Sequence, residues 1–147
     1  MSDFDIRELA PDETALAFET MRTLRRHLED RDEFVELVNG RQRDQGYRLV
    51  AALPRDGGPA AAVAGFRAVH NLATGFHLHV DDLATSPDAR RKGLAGALMD
   101  WMREQAERLG CGSVQLDSAV GPDRTDAHRL YFNKGLAIVA FHFAASL

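Results

Sequence analysis

The segment from Phe76 to Leu109 constrains the fold most, because a strand pattern passes into a helix pattern within a few residues. Phe76 to Thr85 alternates apolar and polar side chains, as a half-buried strand does. Ser86-Pro87-Asp88 breaks this strand, and apolar residues then recur at helical spacing from about Arg91 to Leu109. This junction predicts one strand that leads directly into one long helix.

The same patterns predict the other elements of the chain. The predicted strands are Phe4–Leu9, Tyr47–Leu53, Ala60–His70, Ser113–Ser118 and Leu136–Ala145; the predicted helices are one carrying Leu16 to Leu28, one around Phe34–Val38 that ends at Asn39-Gly40, and one over Arg124–Asn133. The order is strand, two helices, three strands, helix, strand, helix, strand. This order predicts an α+β fold with a mixed central sheet, rather than a strict alternation of strands and helices.

Length and composition narrow the classes of function. A chain of 147 residues with 45% apolar residues suits a single domain over 1–147 with one core. The net charge of −4 gives no basic field for nucleic acid, and there is no uninterrupted apolar run long enough for a membrane span. The first residues lack a signal-peptide pattern, and the lone Cys111 is expected to be ordinary packing. We therefore expect a cytoplasmic protein with neither nucleic acid nor membrane as partner.

The start of the long predicted helix carries the strongest functional pattern. Arg90-Arg91-Lys92 precedes Gly93, and Gly96 follows in the first helical turn. Unpaired amides at a helix start point toward an anion, and glycines let a ligand approach the backbone closely. Without further context, the same residues also suit a helix start with solvated charges. The segment therefore predicts an anion-binding site at the helix start if its neighbours support one.

Two sequence blocks resemble the GNAT superfamily of acyl-CoA N-acyltransferases. Arg90, Gly93 and Ala95 match its signature of Gln or Arg, two residues, Gly, one residue, then Gly or Ala, and Leu83 to Ala89 resembles the strand and proline that precede it. Ala127 to Leu136 is similar to a second family block, with alanine, tyrosine four residues on, and glycine. The resemblance implies a mixed sheet of about six to seven strands flanked by four helices, splayed between two central parallel strands.

The resemblance also implies how the donor, acetyl-CoA, would bind. The pyrophosphate would lie on the amides of about Arg91 to Gly96, and the pantetheine arm would run as an added strand beside Leu83 to Thr85, with an oxyanion donor among the same backbone amides. The implied cofactor-binding residues are Leu83, Ala84, Thr85, Arg90, Arg91, Lys92, Gly93, Leu94, Ala95 and Gly96. No metal is implied.

Tyr131 and His79 are the candidate catalytic residues. Tyr131 matches the family's tyrosine, whose phenol can protonate the departing thiolate; the lesser alternative is that it packs with Leu130 and Phe132. His79 lies six residues before Thr85, where some relatives have a catalytic glutamate, and an unperturbed histidine pKa of about 6.5 suits proton removal near neutrality. The alternative for His79 is a half-buried strand residue that shapes the acceptor pocket.

Alternation along the same strand assigns its polar residues to faces. It places His77, His79 and Asp81 on one face, and Leu78, Val80 and Asp82 on the other. The alternating His77, His79 and Asp81 also resemble the start of a metallo-β-lactamase motif, so a metal-dependent hydrolase is a remote alternative. A non-catalytic acyl-CoA sensor on the same fold is another.

The acceptor has no signature in the sequence. We expect a primary amine of a small molecule or of a protein. A cationic amine would suit the acidic residues of this region, which are Asp81, Asp82, Asp117, Asp123 and Asp126. The apolar run Ala137 to Phe141 is compatible with a homodimer through the C-terminal strand, although it would equally serve a core strand.

Overall fold

The computed structural model describes residues 2–147, which form two compact units, residues up to Gln115 and Leu116–Leu147. The strands are β1 (Phe4–Leu9), β2 (Arg48–Pro54), β3 (Ala62–Asn71), β4 (Gly75–Thr85) and β5 (Ser113–Leu116); the α-helices are α1 (Phe18–Leu24), α2 (Arg31–Leu37), α3 (Leu94–Leu109) and α4 (Thr125–Asn133). The mixed α+β class is confirmed, with five strands in place of the six to seven expected.

The sheet follows chain order, β1-β2-β3-β4-β5, and β1 to β4 are antiparallel neighbours. Short turns join β2 to β3 and β3 to β4, as antiparallel neighbours allow. Helix α3 then returns the chain to the start of β4, where the Gly112 N–H donates to the Phe76 carbonyl at 2.8 Å. Because β5 begins beside the beginning of β4, the two strands run in the same direction, which makes the sheet mixed.

The two predicted N-terminal helices are more broken than their apolar periodicity suggested. A 3₁₀ turn, Pro11–Ala17, precedes the short α1, and α2 continues through a π turn and a 3₁₀ turn to Gln45. The predicted end at Asn39-Gly40 is therefore wrong. The segment ends instead at Gly46, whose φ of 90° is the left-handed conformation that glycine adopts at low cost.

The core lies around β2, β3 and β4. One cluster joins side chains of α1 and α2, including Phe18, Met21 and Phe34, to the sheet residues Leu49 and Val63. On α3, Leu98 and Met102 are also fully buried, and Trp101 packs edge-on against Phe66 of β3. Helices α1, α2 and α3 therefore all bury apolar side chains with this sheet, and this packing holds β4 in place.

The second unit, Leu116–Leu147, contains α4 and an irregular C-terminal segment. The predicted strand Leu136–Ala145 is wrong, because those residues form no strand in this structure and Ile138, Val139 and Phe141 are 74%, 83% and 84% exposed. A strand forms only where a neighbouring strand accepts its backbone hydrogen bonds, and an apolar pattern does not supply that neighbour.

Among residues 2–147, the structure has no helix long and apolar enough to cross a membrane.

Candidate functional site

The loop between β4 and α3 has an unusual backbone. Helix α3 begins at Leu94, so the predicted start at about Arg91 is three residues early. Arg91 has a φ of 66° and is the only non-glycine residue with positive φ in the range 2–147; Gly93 has a φ of 75°. Non-glycine residues with positive φ are strained and cluster at ligand-binding sites. The loop is held in a conformation that turns its backbone sharply into the helix.

This loop is open to a ligand. A Cβ atom built on Gly93 would meet no atom within 4 Å, and Arg90, Arg91 and Lys92 are exposed. The Lys92 ammonium lies 5.5 Å from the centre of the Phe4 ring, so one of the three cations rests against β1. The first-turn amides of α3 and the neighbouring cations together suit an anion.

The end of β4 offers backbone groups next to this loop. Leu83, Ala84 and Thr85 pair with β3 along one edge of β4. On the other edge, β5 begins beside Phe76 and has only four residues against the eleven of β4. At about 3.3 Å per residue, β5 is too short to reach Leu83. Among the described strands, β3 alone is paired with Leu83–Thr85.

A β-bulge in β4 changes which side chains share a face. Gly65 of β3 pairs with Asp82, but the next residue, Phe66, pairs with Val80, so Asp81 is the extra residue of the bulge. The bulge resets the alternation, and the prediction that Asp82 lies with Leu78 and Val80 is wrong. Asp82 instead turns toward the α1 side of the sheet, where its side chain meets residues that follow α1 and precede β2.

Asp82 is held by two side chains that the sequence did not suggest. The Arg25 Nε donates to one carboxylate oxygen at 2.8 Å, and the Tyr47 hydroxyl donates to the other at 2.7 Å. The Tyr47 ring lies directly over Gly65. A Cβ atom at position 65 would collide with the Tyr47 hydroxyl. Gly65 is thus required for Tyr47 to reach the bulge.

Asp81 has a separate partner. Arg67 binds its two oxygens through Nε at 2.7 Å and Nη2 at 3.0 Å, while Arg25 Nη2 donates to the Asp81 carbonyl at 2.9 Å. The His79 Nε2 lies 3.8 Å from an Asp81 oxygen, so His79 and the two aspartates face the same side. Asp81 and Asp82, two of the acidic residues that would suit a cationic amine, are each paired with an arginine.

These contacts change the acid–base properties of the groups involved. Burial, with the adjacent Asp82 carboxylate, raises the pKa of the Tyr47 hydroxyl well above its usual value, so it remains a proton donor. The hydrogen bonds to Asp81 raise the pKa of the Arg67 guanidinium. Burial also raises the pKa of the Cys111 thiol, which fits the packing role predicted for it.

Two cavities adjoin this cluster. The larger, of about 340 Å³, is lined by Arg25, Gln42, Gln45, Tyr47, Arg67, Asp81 and Asp82. The smaller, of about 170 Å³, is lined by Met21, Arg25, His27, Leu28, Phe34, Leu37, Val38, Gln42, Tyr47 and Asp82. The larger cavity is polar, and the smaller is lined mainly by apolar side chains. Both lie directly before Leu83–Thr85 along β4.

His77 does not share the polar cavity. It is 3% exposed, and its Nδ1 lies 3.0 Å from the Thr74 hydroxyl and 3.2 Å from the Gly75 carbonyl. Within residues 2–147, no three His, Cys, Asp or Glu side chains converge as a metal site requires. Asp81 is engaged by Arg67, so His77, His79 and Asp81 do not form the ligand set of the hydrolase alternative.

Tyr131 lies in α4 of the second unit and is half-buried. Its ring centre is 6.4 Å from that of His128, and the Leu136 N–H donates to its carbonyl at 3.0 Å. Phe132, which would pack beside Tyr131 in the alternative interpretation, is 55% exposed. Its role as proton donor to the thiolate stays a prediction.

Comparison with known proteins identifies the family of the chain. The sequence profile of the acetyltransferase (GNAT) family matches residues 9–136. The uncharacterized N-acetyltransferase YhdJ of Bacillus subtilis (strain 168) is 30% identical over 133 residues, which cover 90% of each chain.

Solved structures show the same fold. An acetyltransferase from Trypanosoma brucei aligns with a TM-score of 0.81 at 20% identity, covering 99% of this chain and 100% of the other. A ribosomal-protein-alanine N-acetyltransferase from Brucella melitensis biovar Abortus 2308 aligns with a TM-score of 0.79 at 19% identity, covering 98% and 99%. The profile match spans most of the sequence, and the chain therefore belongs to the acetyltransferase (GNAT) family of acyl-CoA-dependent acyltransferases.

Proposed function

We propose that the protein transfers the acetyl group of acetyl-CoA directly to a primary amine of a small molecule or protein. The observation that carries this proposal is the backbone of the Arg90–Gly93 loop, which combines two positive φ values with an open approach to the first turn of α3. The family's acyl-CoA donor has a pyrophosphate of the charge and size that such a helix start suits.

The backbone supplies most of the donor site in this proposal. The amides of Arg91 to Gly96 bind the pyrophosphate, and Arg90, Arg91 and Lys92 add positive potential. The pantetheine arm pairs with Leu83–Thr85 at the edge of β4 that β5 does not reach. An N–H of the same segment donates to the oxyanion of the tetrahedral intermediate.

Two side chains are proposed for the proton transfers, and one cavity for acceptor binding. His79 takes the proton of the amine, directly or through water, and Tyr131 gives a proton to the departing thiolate. The polar cavity at Asp81 and Asp82 receives the acceptor, because it lies on the same strand just before the proposed oxyanion donors.

A thiol-release assay with acetyl-CoA and a broad panel of amines tests this function. We expect release that depends on both acetyl-CoA and an amine, with the acetylated amine identified by mass spectrometry. Tight acetyl-CoA binding without release on any acceptor would overturn the proposal and favour the non-catalytic sensor.

We also propose that two copies associate through the C-terminal segment. Ile138, Val139, Phe141 and Phe143 are each more than 70% exposed. A soluble monomer seldom leaves so many large apolar side chains together in water. A second copy supplies an identical segment, so that an antiparallel pair of the two would be self-complementary.

A further inference from the structure

The two cavities beside the bulge differ in chemistry and share a wall. Arg25, Gln42, Tyr47 and Asp82 line both. One molecule that entered the polar cavity could therefore extend past Tyr47 and Asp82 into the apolar one. Together, the two cavities indicate the shape of the acceptor more closely than either cavity does alone.

The polar cavity carries both signs of charge. Arg67 uses Nε and Nη2 for Asp81, so its Nη1 group is not part of that pair. Arg25 places its Nε on Asp82. The two arginines and two aspartates sum to zero, so a polyamine would meet two fixed cations, and an anion would meet two fixed carboxylates. A small zwitterion can satisfy both signs at once.

The apolar cavity limits the size of the remaining group. Its volume is about 170 Å³, and Leu28, Phe34 and Leu37 form part of its lining. An apolar cavity of about 150 Å³ accepts benzene, so this volume suits a phenyl or branched aliphatic side chain.

We propose that the acceptor is a free amino acid with a large apolar side chain. Its carboxylate lies against Arg67 and Arg25, its amine faces Asp82 at the bulge, and its side chain fills the apolar cavity. This assignment rests on the acetyl transfer proposed above. The ammonium of the zwitterion first loses one proton, which His79 accepts directly or through water. The amine nitrogen then forms a bond to the acetyl carbon as the carbon–sulfur bond breaks; the nitrogen loses a second proton and CoA leaves as the thiol, giving an N-acetyl amino acid.

A matched acceptor series tests the assignment by thiol release. Phenylalanine has every feature, 2-phenylethylamine lacks the carboxylate, and alanine lacks the ring. We expect kcat/KM to fall at least tenfold with either loss. Equal rates across the series, or a preference for spermidine or lysine, would overturn the assignment while leaving acetyl transfer intact.

A pair of variants distinguishes a specific effect on the apolar cavity from a general effect on the fold. Leu37 is 43% exposed, so Leu37→Gln should leave the core in place while it lowers kcat/KM for phenylalanine and not for alanine. Leu109→Gln, at 38% exposure on α3, is the matched control and should change neither. A Leu37→Gln protein with unchanged selectivity would contradict the proposed cavity.

Binding decides the assignment even if no acceptor releases thiol, in which case the proposed function itself fails. Calorimetry on the protein saturated with CoA should then still show phenylalanine binding at least tenfold more tightly than 2-phenylethylamine or alanine. Equal or undetectable binding of all three would overturn the amino-acid assignment.

Discussion

The two units differ in how far they bury their apolar side chains. The first runs up to Gln115 and the second is Leu116–Leu147. Every buried residue in the range 2–147 lies at or before Ala106, where helices and sheet cover one another. The second unit buries none, and Phe141 and Phe143 are 84% and 90% exposed. Most large apolar residues of the first unit are covered by its own packing, whereas those of the second unit are largely exposed.

The residues proposed for the chemistry are also divided between the two units. The first unit holds the Arg90–Gly93 loop, the open edge at Leu83–Thr85, His79 and both cavities. The second contributes one candidate, Tyr131. We therefore expect substitutions in the first unit to act on binding or on acceptor chemistry, and the substitution of Tyr131 to act on turnover alone.

The largest effect is expected for Gly93→Glu. The φ of 75° disfavours any side chain, and the new carboxylate would repel the pyrophosphate. Acetyl-CoA affinity measured by calorimetry should fall more than 100-fold, whereas Arg91→Ala should weaken it less than tenfold, because backbone amides do most of the binding. Gly58→Glu is the matched control, since Gly58 has a φ of 102° and equally open surroundings. Unchanged affinity of Gly93→Glu would remove the helix start from the site.

Tyr131→Phe should lower kcat by about 100-fold, within the range that general acids contribute. The acetyl-CoA dissociation constant should stay the same, because a missing hydroxyl affects only the step in which the thiolate leaves. Phe132→Leu, one residue along α4, should leave both constants unchanged. A kcat of Tyr131→Phe within twofold of wild type would leave the second unit without a catalytic role.

His79→Ala should reduce turnover at neutral pH more than tenfold and leave acetyl-CoA affinity intact. The His79 Nε2 lies 3.8 Å from an oxygen of Asp81, which lines the polar cavity, and His79 is not part of the proposed donor site. His70→Ala, an exposed histidine on β3, serves as the control. Unchanged turnover would remove His79 from the mechanism and leave an ordered water path as the route for the proton.

Gly65→Ala should destabilise the fold by about 1–3 kcal/mol, the usual cost of overpacking, because its methyl group would collide with Tyr47. Urea unfolding measures this change. Acceptor kcat/KM should fall several-fold as Asp82 loses its Tyr47 donor, with acetyl-CoA binding unchanged. Gly40→Ala has open space at the same atom and should be neutral. Equal stability of the two variants would mean that Tyr47 moves aside at little cost.

The sequence predicted those features that depend on local periodicity. The strand ending at Thr85 and the helix ending at Leu109 before Gly110 both follow from patterns within a few residues, and the structure confirms these two ends. The family followed from two motif blocks, Leu83 to Ala95 and Ala127 to Leu136, and the fold class from the order of strands and helices.

The sequence could not predict features that depend on residues distant in the chain. The bulge at Asp81 breaks the alternation that assigned Asp82 to the wrong face, and its signal lay only in Gly65, a glycine within a strand. Arg25 and Tyr47 reach Asp82 across 57 and 35 residues. The apolar run at Leu136–Ala145 predicted a strand because periodicity reports composition and not the presence of a pairing partner.

Phe141→Lys is expected to have the smallest effect on catalysis. It tests directly whether a second copy covers the exposed apolar side chains of the second unit. If a second copy covers the C-terminal segment, light scattering should give the mass of a dimer for wild type and a mass close to that of the monomer for the variant. Acetyl-CoA affinity should not change, since the Arg90–Gly93 loop belongs to the other unit. Leu72→Lys, at a fully exposed turn residue, should remain dimeric. A wild-type protein that is monomeric at all concentrations would show that the exposed side chains are not covered by a second copy.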